Sequence, residues 1–331
     1  MSNFDEAAAL PTLDPGLVFP SPLQPSPQAQ GPNPNNPSWG LGGALLVWFA
    51  SIVLVIFMPL VFLIPYLLYR AADLGGSAPE LIEFAVKDKT ALLLQLVAVF
   101  PTHVITFLLV WLLVTRFGKQ SFRRALGLDW STQIPWWLDL IFSTGLGIAL
   151  FAVGSVIAKL LGAEKPTQLE QIINSSLAAR YTIAFLAVFT APFVEEFIYR
   201  GVLYSALQKA VGVYGAQLLS AFGLRLDRRE QERLGVWAAV VLVLVLFTII
   251  HVPQYWPNVG VIAAVALLSI ALTLVRAFSG RLLPCVVIHL VFNGIQAVLL
   301  ILEPFVHRFL PAPQQVPPTA GLLMSLIKLH F

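Results

Sequence analysis

From residue 44 to residue 302 the chain is a succession of long apolar runs separated by short polar or charged connections. Seven runs stand out, at 44–68, 91–115, 137–161, 181–208, 236–256, 259–278 and 282–302. Each is near the ~20 residues an α-helix needs to cross ~30 Å of hydrocarbon. In lipid every backbone N–H and C=O must be satisfied within its own segment, so runs of this length predict helices. The expected fold is all-α, a polytopic transmembrane bundle of about seven spans. Pro59 and Pro65 lie inside the first run and are expected to kink it, since each removes a backbone donor and crowds the preceding turn.

The flanks are of different material. Residues 1–43 are rich in Pro, Gln, Asn and Ser, with apolar residues too sparse to offset ordering entropy, and predict a disordered tail that serves as a spacer. The tail has neither the basic start nor the short apolar core of a signal peptide. A membrane domain is expected over 44–310, with its polar motifs in the half 181–302. Residues 311–331 carry the apolar stretch Leu322–Lys328, too short to span, and predict an interfacial tail. Between the fourth and fifth runs, Leu218–Leu234 mixes leucines with Arg225, Arg228, Arg229 and Arg233. It predicts either an amphipathic interfacial helix or a solvated charged loop.

Composition turns this pattern into a class. Of 331 residues 58% are hydrophobic and only 11% charged, against roughly 25% charged in a soluble domain. Mean hydropathy is +0.82. A soluble fold of this size needs far more polar surface, so soluble, disordered and disulfide-rich classes are excluded. The net charge of +3 reflects loop Lys and Arg rather than nucleic-acid binding. With seven spans, the side holding the N-terminus has 11 basic residues and the other side 8, which predicts a cytoplasmic N-terminus. Arg276 and Arg281 flank the sixth run and are expected to snorkel to the interface. Trp136 and Trp137 read as belt residues at the membrane surface. The single cysteine, Cys285, excludes a disulfide framework and any multi-cysteine metal site.

Chemistry is suggested where the apolar runs are interrupted. An ionisable side chain inside a span costs ~2.5–3.5 kcal/mol on insertion scales and marks a candidate functional site. The fourth run carries Glu195, Glu196 and Arg200, the fifth His251, and the seventh His289 and Asn293. Glu196 and Arg200 are four apart and share a helix face as an ion pair. Glu195 points ~100° away and is left to face a cavity as a base. His289 and Asn293 are also four apart, so an imidazole and an amide stand side by side as hydrogen-bond donors for a developing oxyanion. A static charge network binding helices together is the competing reading for the three charges of the fourth run.

Three motifs, Glu195-Glu196-x-x-x-Arg200, Phe247-x-x-x-His251 and His289-x-x-x-Asn293, resemble the ordered motifs of the CPBP family. That family holds CAAX prenyl proteases of the Ras-converting type and bacteriocin-processing or immunity proteins. The resemblance covers roughly 181–295. It implies a glutamate-dependent intramembrane endopeptidase with no cofactor and no metal, in a bacterial plasma membrane or a plastid-type membrane. Its partners would be the lipid bilayer and a peptide or lipidated-protein substrate, cut near the C-terminus. By similarity Glu195 with His251 would activate water, His289 and Asn293 would stabilise the oxyanion, and Glu196 and Arg200 would orient the site. The site is expected to open toward the cytoplasmic side, where the N-terminus lies. His251 falls near the end of its run and Glu195 near the middle of its own, so a longer or tilted fifth span is required.

Other classes remain open at this stage. A zinc protease would use Glu195, His251 and His289 as ligands, although no His-Glu-x-x-His helix motif is present. A cysteine protease would use Cys285, one turn from His289, though a lone Cys in an apolar helix usually packs as a small hydrophobe. An immunity or scaffolding membrane protein would keep the same residues as a polar core, and a transporter would use them as a proton relay. His103, in the second run after Pro101, is expected to pack against the Pro kink rather than reach the cavity.

Overall fold

The computed structural model describes residues 33–73, 77–162 and 167–309. The disorder expected for residues 1–32 and the interfacial tail expected at 311–331 lie outside the described residues. Fourteen α-helices and two π-helical stretches follow one another, with no strand among the described residues. In order they are α1 (Leu41–Ala71), α2 (Ala78–Lys87), α3 (Lys89–Val97), α4 (Val99–Thr115), α5 (Phe122–Leu126), α6 (Trp136–Leu160), α7 (Gln168–Ser175) and α8 (Leu177–Phe189). Next come α9 (Ala191–Glu196), the first π stretch (Phe197–Leu203), α10 (Tyr204–Ala210), the second π stretch (Val211–Gly215) and α11 (Ala216–Ala221). The series closes with α12 (Arg228–Tyr255), α13 (Val259–Ser279) and α14 (Leu283–Phe309).

Seven helical segments are long and apolar enough to cross a membrane, as the run pattern predicts. Large apolar side chains such as Leu46, Phe142 and Val241 point outward from the bundle, which suits a molecule whose solvent is hydrocarbon. The second segment is α3 and α4 joined at Ala98, and the fourth runs from α8 to α11. α1 passes unbroken through Pro59 and Pro65.

Three local expectations are corrected. Leu218–Leu234 is neither one amphipathic helix nor one loop: α11 ends at Ala221, a short turn follows, and a capping box between Asp227 and Glu230 starts α12. Such a box satisfies two orphan backbone N–H groups reciprocally and fixes the helix start. The fifth span thus begins eight residues earlier than the run at 236 implies. Arg276 and Arg281 do not snorkel. Arg276 is fully buried, and Arg281 pairs with Asp139 in the first turn of α6. Residues 33–40, assigned by composition to the disordered tail, are docked: Trp39 is buried and its indole N–H donates to the carbonyl of Val202 at 3.2 Å.

α6 packs against α13 and α14, and α12 against α10 and α13. Several of these approaches are so close that glycine is required. A Cβ on Gly235 of α12 would overlap the carbonyl oxygen of Gln208 in α10, and one on Gly147 of α6 would lie 2.8 Å from the Val291 side chain in α14. Small residues of this kind let membrane helices approach at backbone distance, where dispersion holds them.

Candidate active site

The chain around the two carboxylates departs from regular helix twice. At Thr190 the backbone leaves the α region, ending α8, and Pro192 lies in the first turn of α9. Immediately after Glu196 the helix widens into a seven-residue π stretch, all of it buried. π turns are rare and gather at functional sites, because the extra residue re-aims side chains on either side. The break and the widening place Glu195 and Glu196 in different surroundings.

Glu196 is fully buried and fully engaged on one oxygen. Its Oε1 accepts from Arg200 Nη1 at 2.9 Å and from His289 Nδ1 at 2.8 Å. Arg200, also fully buried, spends its other donors on α13: Nη2 on the Ser269 carbonyl (3.1 Å) and hydroxyl (3.0 Å), and Nε on the Thr273 hydroxyl (3.3 Å). Its guanidinium lies 4.4 Å from the centroid of Phe247 in α12. A buried ion pair survives desolvation only with such additional hydrogen bonds. The predicted Glu196–Arg200 pair is present, and it joins three other spans.

Glu195 is different. Its carboxylate is part-exposed to a cavity of about 510 Å³ lined also by His103, His251, His289, Asn293 and Tyr255. Two imidazole Nε2 atoms face Glu195 Oε2, His289 at 3.8 Å and His251 at 4.0 Å. His251 Nδ1 sits 2.6 Å from the carbonyl of Phe247. A carbonyl only accepts, so Nδ1 carries the proton and a neutral His251 presents a bare Nε2 to the cavity. The same reasoning applies to His289, whose Nδ1 faces Glu196. Asn293 is fixed by donating one amide N–H to the carbonyl of Ala187 at 3.0 Å, which leaves its second N–H outside that bond. All six residues singled out in the sequence therefore gather at one place, from α9, the first π stretch, α12 and α14.

His251 is one turn from the end of α12, but α7 packs against that helix and supplies Gln168, Leu169 and Ile172 to the cavity wall. The rest of the lining comes from α3, α4, α6, α8, α9, α12, α13 and α14, with Val55 of α1. His103 reaches the cavity after all, with Nδ1 2.8 Å from the Thr190 hydroxyl at the α8 break. Cys285 is fully buried between α13 and α14, its thiol donating to the Leu272 carbonyl, and is absent from the cavity wall. Ser269 and Thr273 were missed in the sequence. Their spacing of four, with Arg276 three further on, is the signal of a polar face on an otherwise apolar helix.

Fold and site together define a polytopic helical membrane protein with carboxylates and imidazoles gathered inside its bundle. Residues 177–295 match the family model described as Rce1-like, the type II CAAX prenyl endopeptidase Rce1-like family. All six polar residues of the site fall within that stretch, and the resemblance carried by the three motifs is thereby shown over it. The match supports a CAAX-type intramembrane protease as the kind of function. No curated protein and no solved structure matches the chain.

Proposed function

We propose that this protein is an intramembrane endopeptidase that hydrolyses a peptide bond near the C-terminus of a peptide or lipidated protein, with Glu195 as general base. The observation that carries the reading is the convergence of His251 Nε2 and His289 Nε2 on Glu195 Oε2 at 4.0 and 3.8 Å. These gaps are too long for direct hydrogen bonds and leave room for a water or a carbonyl oxygen among the three groups. A water there donates one proton toward Glu195 and the other toward the bare Nε2 of His251, which leaves an oxygen lone pair for attack.

The proton account closes within these residues. Glu195 takes a proton as the water oxygen bonds to the scissile carbonyl carbon. The carbonyl becomes an oxyanion, met by the free N–H of Asn293. His289 Nδ1–H is committed to Glu196, so His289 donates to the oxyanion only after gaining a proton on Nε2, and Glu195 is the group beside it that can pass one on. Collapse of the tetrahedral species returns that proton to the leaving amine. Preorganised donors of this kind act strongly in a dry site, where they cost no reorganisation. A prenyl chain on the substrate would lie in the surrounding lipid, which rationalises placing hydrolysis within the membrane.

A second reading, a zinc-dependent membrane protease, draws on the same bare Nε2 atoms. Tetrahedral ligands at ordinary zinc distances stand roughly 3.4 Å apart, whereas Glu195 Oε2 is 4.0 and 3.8 Å from the two imidazoles, and among the described residues no three such side chains are placed to hold a metal ion. The test is cleavage of a farnesylated CaaX peptide by purified protein in detergent, comparing wild type with Glu195→Gln, with and without a zinc chelator. Cleavage that survives the chelator and is lost in the variant is expected. Chelator-sensitive cleavage would transfer the site to metal chemistry, and absence of cleavage by wild type would reject the CAAX-type substrate.

A further inference from the structure

Arg276 lies outside the site described above, on the far side of Arg200. Its guanidinium is fully buried, yet every hydrogen-bond partner it has among the described residues is neutral. Nε donates to the carbonyl of Arg200 (3.2 Å), Nη1 to Asn35 Oδ1 (2.9 Å), and Nη2 to the carbonyl of Pro34 (2.8 Å) and the hydroxyl of Ser205 (3.0 Å). The Tyr204 ring lies 5.5 Å from the guanidinium carbon. A buried cation without a counter-ion is costly, and an apolar side chain would fill the space at no such cost.

What Arg276 grips is informative. Arg200 is inside the first π stretch and Ser205 just beyond it, so one side chain clamps the widened turn from within and from its exit. The other half of the clamp is the segment before α1. Asn33 and Asn36 form an isolated bridge, and the side chain of Asn33 accepts from the N–H of Asn35 at 2.9 Å, which presents Pro34 and Asn35 to Arg276. Trp39 then donates to the carbonyl of Val202 in the same π stretch. The strap fits against two glycines with positive φ. A Cβ on Gly127 would lie 3.1 Å from Pro34 Cγ, and one on Gly280 would lie 3.2 Å from Asn35 Nδ2. Two carbonyls of the π stretch, those of Arg200 and Val202, thus receive donors from distant parts of the chain.

We propose that Arg276 and the strap Asn33–Trp39 form a positioning device that holds the π turn open and so keeps Glu195 and Glu196 in register with His251 and His289. The proposal rests on the protease reading for its kinetic consequence, though not for its structural one. If the turn relaxed to regular α-helix, one residue would be taken up and every side chain beyond it would rotate by ~100° relative to Glu196. Arg276 touches none of the reacting groups and is a positioning residue.

The experiment uses the full-length protein in detergent with a farnesylated CaaX peptide, and compares Arg276→Gln, Arg276→Lys and Asn35→Ala. Arg281→Gln, which breaks the neighbouring pair with Asp139 and removes none of the hydrogen bonds that Arg276 makes to the strap and the π stretch, is the control. Arg276→Gln is expected to lower kcat about tenfold or more with KM within about twofold, the signature of a disturbed transition-state geometry rather than lost binding. Asn35→Ala should move the same way by less, and Arg276→Lys should regain part of the loss. Backbone hydrogen exchange over residues 197–203 should rise in Arg276→Gln and Asn35→Ala and stay unchanged in Arg281→Gln. Unaltered kcat in folded Arg276→Gln or Asn35→Ala would overturn the proposal, as would an equal loss in Arg281→Gln. Should Arg276→Gln fail to fold, Asn35→Ala carries the decision. If wild type cleaves nothing, the CAAX-type substrate falls and exchange alone decides: a rise in Asn35→Ala upholds the device, and no rise refutes it.

Discussion

His289 Nδ1 lies 2.8 Å from Glu196 Oε1, the same oxygen that accepts from Arg200 Nη1 at 2.9 Å. One carboxylate oxygen therefore ties the fourth span to the seventh and, through Arg200, to the sixth. Neighbouring carboxylates take different parts as a result. Glu196 is committed to holding helices and fixing an imidazole, while Glu195, one residue earlier, is left facing the cavity.

Removing the charge of Glu196 should cost stability before anything else. Glu196→Gln leaves the Arg200 cation fully buried without its counter-charge, and breaking a buried pair in this way typically costs ~3–5 kcal/mol. Glu195→Gln, whose carboxylate borders the cavity, should cost little. Thermal unfolding in a single detergent separates them: a clearly lower midpoint for Glu196→Gln and a near-wild-type midpoint for Glu195→Gln. Equal midpoints would contradict the division of roles.

His251 is oriented by the carbonyl of Phe247, so its contribution is the lone pair on Nε2. In the proposed mechanism His251→Ala removes that acceptor for the attacking water and should reduce kcat by roughly 10²–10⁴, the usual scale for a side chain that assists proton transfer. The fold should be kept, because the ring stands at the cavity edge. Activity against the farnesylated peptide within a few-fold of wild type would remove His251 from the water-activating step.

Asn293 donates one N–H to the carbonyl of Ala187, and in the proposed mechanism its other N–H meets the oxyanion. Asn293→Ala should lower kcat by roughly 10²–10³, the scale for loss of one oxyanion donor. KM should change little, because the interaction strengthens only in the transition state. A rise in KM at unchanged kcat would instead make Asn293 a ground-state binding group.

Much of this was legible in the sequence, for physical reasons. Lipid leaves a span little choice but helix, so seven apolar runs translate into seven spans. Intramembrane charge is costly, so Glu195, Glu196, Arg200, His251, His289 and Asn293 stood out against their background and proved to be neighbours. What was hidden depends on which face of a helix turns inward. Arg276, at the end of its run, looks the same whether it snorkels or turns toward Arg200, and only its spacing from Ser269 and Thr273 favours the latter. The π stretch after Glu196 is silent, since a pair at i and i+4 reads as ordinary α-helix. The start of α12 is marked by the capping-box spacing of Asp227 and Glu230, but the surrounding arginines suit an interfacial segment equally well. Trp39 was the one large aromatic in the last ten residues assigned to the tail, and its burial is what docks the strap.

Gly235 tests whether the fourth and fifth spans are held at backbone distance. Its missing Cβ would overlap the carbonyl oxygen of Gln208, far inside van der Waals contact, and would lie 3.2 Å from Gly212 Cα. Neither neighbour is a flexible side-chain end, so Gly235→Ala must push α12 away from α10. Overpacking of this kind costs ~1–3 kcal/mol in a well-packed interior. α12 also carries Phe247 and His251, so displacement should widen the gap between His251 Nε2 and Glu195 and lower kcat as well as the unfolding midpoint. Gly42→Ala, at a position where an added Cβ meets nothing within 4 Å, is the matched control and should leave both unchanged. If Gly235→Ala unfolds at the wild-type midpoint, the close crossing of α10 and α12 is not a constraint on the fold, and the glycine there needs another explanation.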